Sequence, residues 1–140
     1  MRVLIADGSI IVTQRLTTLI SEIPNVEFLA PTISAEATLE SVRANDPAVL
    51  VMDGQIMHGK MRELLRIVRQ EKPAIVMIIL SNLLSPQYRK HYVAAGADLV
   101  LDKSKEFIHL SQFIRDLARD SQSEEGRARK DGMGRELIHT

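Results

Sequence analysis

Cysteine is absent from this chain of 140 residues, and with it go disulfides, thiolate metal sites and cysteine nucleophiles. That absence suits a reducing cytoplasm, which is the expected compartment. Tryptophan is absent too, and aromatic residues total 4%, too few for the platforms on which single-strand binders stack bases. No sign of charge dominates: 18 Lys and Arg balance 18 Asp and Glu, so nothing pulls the molecule as a whole toward nucleic acid or a membrane surface. The longest apolar run, Ala74 to Leu80, falls far short of the roughly 20 residues that cross a bilayer. Met1-Arg2 is followed by only four apolar residues before Asp7, which is no secretory h-region. What remains is an ordinary balance, 45% hydrophobic and 26% charged, enough for one domain with its own core.

The order of apolar segments organises the chain. Val3-Leu4-Ile5-Ala6 reads as a strand ending at Asp7-Gly8-Ser9. Ile11, Val12, Leu16, Leu19 and Ile20 then recur at helical spacing, and Pro24-Asn25 closes that helix. Val26 to Ile33 reads as a second strand, placed at a sheet edge by Glu27 and Pro31. Ser34 caps a helix to about Ala44. Ala48-Val49-Leu50-Val51-Met52-Asp53-Gly54 is a strand apolar on both faces that runs into one carboxylate. Met61, Leu64, Leu65, Ile67 and Val68 mark the third helix, and Ala74 to Leu80 a central strand finishing at Ser81-Asn82. Ser85-Pro86 starts the fourth helix, which Gly96 ends. Asp98 to Asp102 is a short strand followed by Lys103. Ser104 caps a fifth helix striped by Phe107, Leu110, Phe113, Ile114 and Leu117. Residues 1–120 form the domain, and residues 121–140 read as a polar, flexible tail. Within that tail, Arg135 to Thr140 could add no more than a turn of helix.

Five strands alternating with five helices predict an α/β fold: a three-layer, doubly wound parallel sheet. The most apolar strands belong inside, giving the flavodoxin-like strand order 2-1-3-4-5. Ligands of such sheets sit beyond the carboxyl ends of the strands, near the point where strand order reverses. Asp7, Asp53, Ser81 and Lys103 end the first, third, fourth and fifth strands, so all four belong to that rim. Each suits phosphoryl chemistry. A carboxylate can form an acyl phosphate. A second can help hold Mg2+. An ammonium and a hydroxyl can pair with phosphoryl oxygens. Singly, each has a plainer reading: Asp7-Gly8 as a turn or helix cap, Ser81 as a loop hydroxyl, Lys103 as a solvated partner of Asp102. Asp53 is the least easily explained away, because a carboxylate ending a buried strand needs a partner.

These segments together resemble the receiver domains of bacterial two-component response regulators, the CheY-like family. Arg2-Val3-Leu4-Ile5-Ala6-Asp7 resembles the opening of regulators with a helix-turn-helix output. Leu50-Val51-Met52-Asp53 resembles the phosphoacceptor strand, Ile79-Leu80-Ser81 the strand ending in the switch hydroxyl, and Gly96 to Ser104 the last strand with its lysine. The likeness spans about residues 1–120. It implies phosphorelay signalling, with Asp53 taking a phosphoryl group from a histidine kinase or phosphotransfer protein. It implies that Asp7, Asp53 and the main-chain carbonyl of Gln55 hold Mg2+, while Ser81 and Lys103 contact the phosphoryl group. Such a module is a signalling domain rather than an enzyme, beyond its own phosphotransfer and dephosphorylation. A downstream protein would dock on the face of the fourth helix, fifth strand and fifth helix, where a homodimer could also form. No DNA-binding domain follows residue 120, so direct DNA binding is not expected.

Departures from the family pattern concentrate at the acidic pocket. Gly8 stands where a second acidic residue is usual, which weakens the expected Mg2+ site. Asn82 replaces the small residue after the switch hydroxyl, and Val100 the aromatic switch on the last strand. Met57 stands in place of a proline, and the loop through His58-Gly59 is about two residues short. Ser104 replaces a proline, a common variation. Three functions compete: a phosphorylatable receiver, a pseudo-receiver that binds partners without phosphorylation, and a small-molecule binder. The last lacks a glycine-rich phosphate loop and any tryptophan to sandwich a flavin. His58, His91, His109 and His139 are too scattered for a metal site, and Met52, Met57, Met61 and Met77 suit core packing. Tyr88 and Tyr92, four apart on the fourth helix, form either a partly buried pair or part of a docking face. Arg127-Ala128-Arg129-Lys130, flanked by acids, reads as solvated tail.

Overall fold

Apolar runs in the sequence become the inner strands of a single parallel sheet. A computed structural model of the protein describes residues 1–54, 60–82, 86–103 and 106–131, with Ile10, Phe107 and everything from 121 onward as backbone alone. In chain order the elements are β1 (Arg2–Ala6), α1 (Ile10–Ser21), β2 (Glu27–Phe28), α2 (Ala35–Asn45), β3 (Val49–Asp53), α3 (Met61–Glu71), β4 (Val76–Ser81), α4 (Pro86–Ala95), β5 (Leu99–Asp102) and α5 (Phe107–Asp131). The strands pair in parallel in the order β2-β1-β3-β4-β5, as expected. In register, Leu50 lies between Leu4 and Met77, and Val51 between Ile5 and Ile78.

Two cores flank the sheet because side chains alternate across it. Leu4, Leu50, Met52, Met77, Ile79 and Val100 point to one side, where Val42, Leu64, Leu65 and Val68 of α2 and α3 cover them, with Ala95 of α4 beside them. Val3, Ile5, Val49, Val51, Ile78, Leu80 and Leu101 point to the other, under Leu16 and Ile20 of α1 and Leu110, Ile114 and Ala118 of α5. Burying each of these larger side chains contributes about 1.5–3 kcal/mol. This double covering explains why β3 and β4 carry almost unbroken apolar runs. Met52, Met61 and Met77 are core residues, as the sequence suggests; Met57 lies outside the described residues.

Helix ends follow the sequence signals. Ser34 caps α2 as expected, its hydroxyl accepting from the backbone of Ala37, while Ser9, not singled out as a cap, does the same for α1 through Val12. Gly96, with φ of 125°, ends α4 in a conformation that disfavours other residues. Ser85 and Ser104, expected as caps, lie outside the described residues.

Two elements differ from expectation. The edge strand, expected over Val26 to Ile33, is regular only at Glu27 and Phe28. Pairing with β1 skips Ala30 and Pro31 and returns at a single bridge, Ala6 to Thr32, because Pro31 has no N–H to offer the ladder. α5 continues as helix to Asp131, so the polar stretch expected as a tail from residue 121 begins as helical backbone. Among the described residues no helix is long and apolar enough to cross a membrane.

Candidate functional site

Strand alternation delivers the charges to one place. Val3 and Ile5 face α1 and α5, so Asp7, two residues further, continues that side. Asp53 follows Val49 and Val51 in the same way, and Lys103 follows Leu101. Lys103 Nζ accordingly lies 3.0 Å from Asp53 Oδ2 and 3.1 Å from Asp7 Oδ2. The three side chains are nearly dry, at 10% exposure for Lys103, 2% for Asp7 and 9% for Asp53. The contact with Asp53 is a charge-assisted hydrogen bond. Asp7 Oδ2 accepts no hydrogen bond among the described residues, so its contact with Lys103 is charge attraction without hydrogen-bond alignment.

The main chain fixes these positions. Asp7 N–H donates to Thr32 O at 3.1 Å, Gly54 N–H to Leu80 O at 3.0 Å and Lys103 N–H to Ser81 O at 2.9 Å. Asp7 Oδ1 also accepts from the backbone N–H of Ser9 at 2.8 Å, so Asp7 shapes the turn into α1 as well as facing Lys103. The plainer reading of Asp7 as a turn residue is thus seen in the structure, alongside its contact with Lys103. The plainer reading of Lys103 as the partner of Asp102 is corrected: its ammonium is turned inward to Asp7 and Asp53 because two buried carboxylates attract it more strongly than one at the edge. At the end of β5, Glu106 Oε1 accepts from Asp102 N–H and from Arg89, and Arg89 also donates to Val100 O. The Asp102 N–H, then the Arg89 guanidinium, hold the Glu106 carboxyl below the usual carboxylate range.

Ser81 is buried at 8% exposure, but alternation places it with Met77 and Ile79, toward the side covered by α3 and α4. Gly8 and Asn82 are exposed, and Val100 is buried within the core on the α2–α3 side. Gln55, like His58 and Gly59, lies outside the described residues. His91 and His109 are exposed, apart from the acidic cluster.

Sequence reasoning missed Tyr92 as a neighbour of this rim. Its ring packs on the core beneath α4, and its hydroxyl lies 3.3 Å from where a Cβ on Gly54 would stand. The available signal was the glycine immediately after Asp53, which leaves room for a side chain arriving from elsewhere. Tyr88, its helical neighbour, is 58% exposed, so the two tyrosines are not equivalent. Burial first, then the Tyr88 phenol and the negative charge of Asp53, push the Tyr92 hydroxyl above the ordinary tyrosine value. In a Tyr88→Phe protein, absorbance titration of the remaining phenol should therefore give a midpoint above about 10. Adding Asp53→Asn should return it part of the way, since burial is the larger cause; a midpoint that does not move would show that the two groups do not sense each other. Because the folded-state value is the raised one, the associated stability is intact below about pH 10 and lost as pH climbs through that value.

The residues can accommodate a hard cation. Asp7 and Asp53 supply two carboxylates, one with an oxygen that accepts no hydrogen bond, and Mg2+ is commonly held by one or two carboxylates with water and phosphate oxygens completing the shell. Among the described residues no three His, Cys, Asp or Glu side chains gather as a metal cluster.

No protein-family model matches the chain, and no curated protein matches it as a relative. Solved structures do match. A two-component response regulator of the LuxR family from Aurantimonas sp. SI85-9A1 superposes with a TM-score of 0.76 at 24% identity, covering 85% of each chain. A DNA-binding response regulator of the LuxR family from Staphylococcus aureus gives 0.73 at 21%, over 84% of this chain and 98% of the other. The signal receiver domain of the NarL response regulator from Mycobacterium tuberculosis gives 0.74 at 20%, over 84% and 95%. With its strand order and its rim of terminal carboxylates, the chain therefore has the receiver-domain fold of response regulators.

Proposed function

We propose that this protein is a receiver in phosphorelay signalling, with Asp53 as the phosphoacceptor. The observation that carries this reading is the meeting of Asp7 and Asp53 on one nearly buried ammonium, at the strand-end rim of a 2-1-3-4-5 sheet. A structural ion pair needs one acid; here a second carboxylate is held against the same cation.

The chemistry follows from these groups. A carboxylate oxygen of Asp53 attacks the phosphorus of a phosphohistidine on a kinase or phosphotransfer protein. The new O–P bond makes an acyl phosphate, and the P–N bond breaks with its electron pair returning to the imidazole. Lys103, already beside Asp53, pairs with the phosphoryl oxygens, and the Ser81 hydroxyl donates to them. Asp7, Asp53 and the Gln55 carbonyl would hold Mg2+, weakly because Gly8 contributes no carboxylate; when bound, the ion neutralises phosphoryl charge. Hydrolysis of the acyl phosphate by water resets the domain. Signalling passes to a protein partner through α4, β5 and α5, in the cytoplasm.

A second reading, a pseudo-receiver that binds partners unphosphorylated, is favoured by the missing acid at Gly8. Incubation with phosphoramidate and millimolar Mg2+, followed by intact-mass measurement, separates them. The receiver gains one phosphoryl group and the Asp53→Asn protein gains none. An unchanged mass in the unsubstituted protein would leave the pseudo-receiver standing.

A further inference from the structure

Gly54 follows the acceptor directly, and its role is spatial. Its φ lies outside the left-handed region, since Gly96 is the glycine with positive φ among the described residues, so the backbone there does not require glycine. What the missing side chain leaves is room. The position of a Cβ on residue 54 lies 3.3 Å from Tyr92 Oη, 3.8 Å from Leu80 O and 3.8 Å from Ser81 Cβ. Tyr92 Oη thus reaches from α4 to the residue after Asp53, a position that Leu80 O and Ser81 Cβ of β4 also approach. Among the described residues its hydroxyl makes no hydrogen bond, so a donor stands unused at this rim. The position where an aromatic residue could rise from β5 holds Val100, buried at 2% exposure.

We infer that Tyr92 is the sensor of the group carried by Asp53: its hydroxyl donates to the phosphoryl oxygens, and its ring passes the change to α4. This rests on Asp53 being the acceptor. The route outward is short. Tyr88 and Val93, exposed on the same helix at 58% and 52%, lie on the surface that Tyr92 moves, and Arg89 ties α4 to the main chain of Val100.

Beryllofluoride, which mimics a phosphoryl group on a carboxylate, tests this at equilibrium. The chain has two tyrosines and no tryptophan, so a Tyr88→Phe protein reports Tyr92 alone by its emission, while fluorine NMR reports bound beryllofluoride in every variant. With Mg2+ present, binding should change Tyr92 emission. Tyr92→Phe, which keeps the ring and loses the donor, should weaken binding roughly tenfold, the effect of one hydrogen bond to a charged group. Gly54→Ala should weaken it as well by pushing the hydroxyl away, and should do no further harm in the Tyr92→Phe background. Because Tyr92→Phe also removes the atom that the new Cβ would meet, the change in Tyr92 emission on binding is what separates sensing from packing. Bound beryllofluoride with unchanged Tyr92 emission and undiminished affinity in Tyr92→Phe overturns the sensor and leaves the acceptor intact. No bound beryllofluoride in the unsubstituted protein overturns both.

Discussion

Lys103→Met should destabilise the fold by about 3–5 kcal/mol, the usual consequence of removing one partner from a buried ion pair. Methionine keeps much of the length of the stem, so little packing is lost. What is lost is the cation facing Asp7 and Asp53, whose side chains are only 2% and 9% exposed. Two like charges then face each other in a poorly solvated pocket. Denaturant titration measures the loss directly. The same substitution in an Asp53→Asn background should cost markedly less, since one carboxylate then remains to be left unpaired. Asp53→Asn alone should be neutral or slightly stabilising, because Lys103 keeps Asp7 and the repulsion between carboxylates is gone. A loss below about 1 kcal/mol for Lys103→Met, the range of exposed pairs, would show that water screens this cluster.

Gly8→Asp should tighten Mg2+ binding by about tenfold, equivalent to about 1.4 kcal/mol. At present the site carries two carboxylates and one ammonium, a formal charge of 2 − 1 = 1 negative unit from Asp7, Asp53 and Lys103. A third carboxylate doubles that attraction and adds a ligand for a cation that favours oxygen donors. The substitution is sterically reasonable: Gly8 is exposed, and Gly96 is the glycine held at positive φ among the described residues. Calorimetric titration with Mg2+ compares the two proteins. Adding Asp7→Asn to the variant should remove most of the gain. Equal affinities before and after Gly8→Asp would mean that something other than the missing acid limits the site.

The sheet could be read from the sequence because its two covered faces demand apolar runs, which β3 and β4 display over Val49–Met52 and Val76–Leu80. The rim followed from the same logic: strand ends in a known order put Asp7, Asp53 and Lys103 at one edge of the sheet, where their side chains meet, while Ser81 ends β4 on the same rim but turns to the α3–α4 side. Three things were not legible. Pro31 marked the edge strand but not how far pairing would lapse around it. The continuation of α5 past residue 120 was hidden by polarity, since Gln, Glu, Arg, Lys and Ala are as compatible with a helix as with a loose tail. Tyr92 was hidden by distance along the chain. A tyrosine four residues from another gives its helix spacing, not that it reaches over Gly54 on β3's far end.

Chemical trapping on the acceptor tests the central claim most directly. The protein is treated with phosphoramidate and Mg2+, then with borohydride, which reduces an aspartyl phosphate to homoserine, and digested for peptide mass mapping. Homoserine is expected at position 53, and nowhere else. Homoserine at Asp7 instead, or a fully unmodified Asp53 in the treated protein, would contradict it.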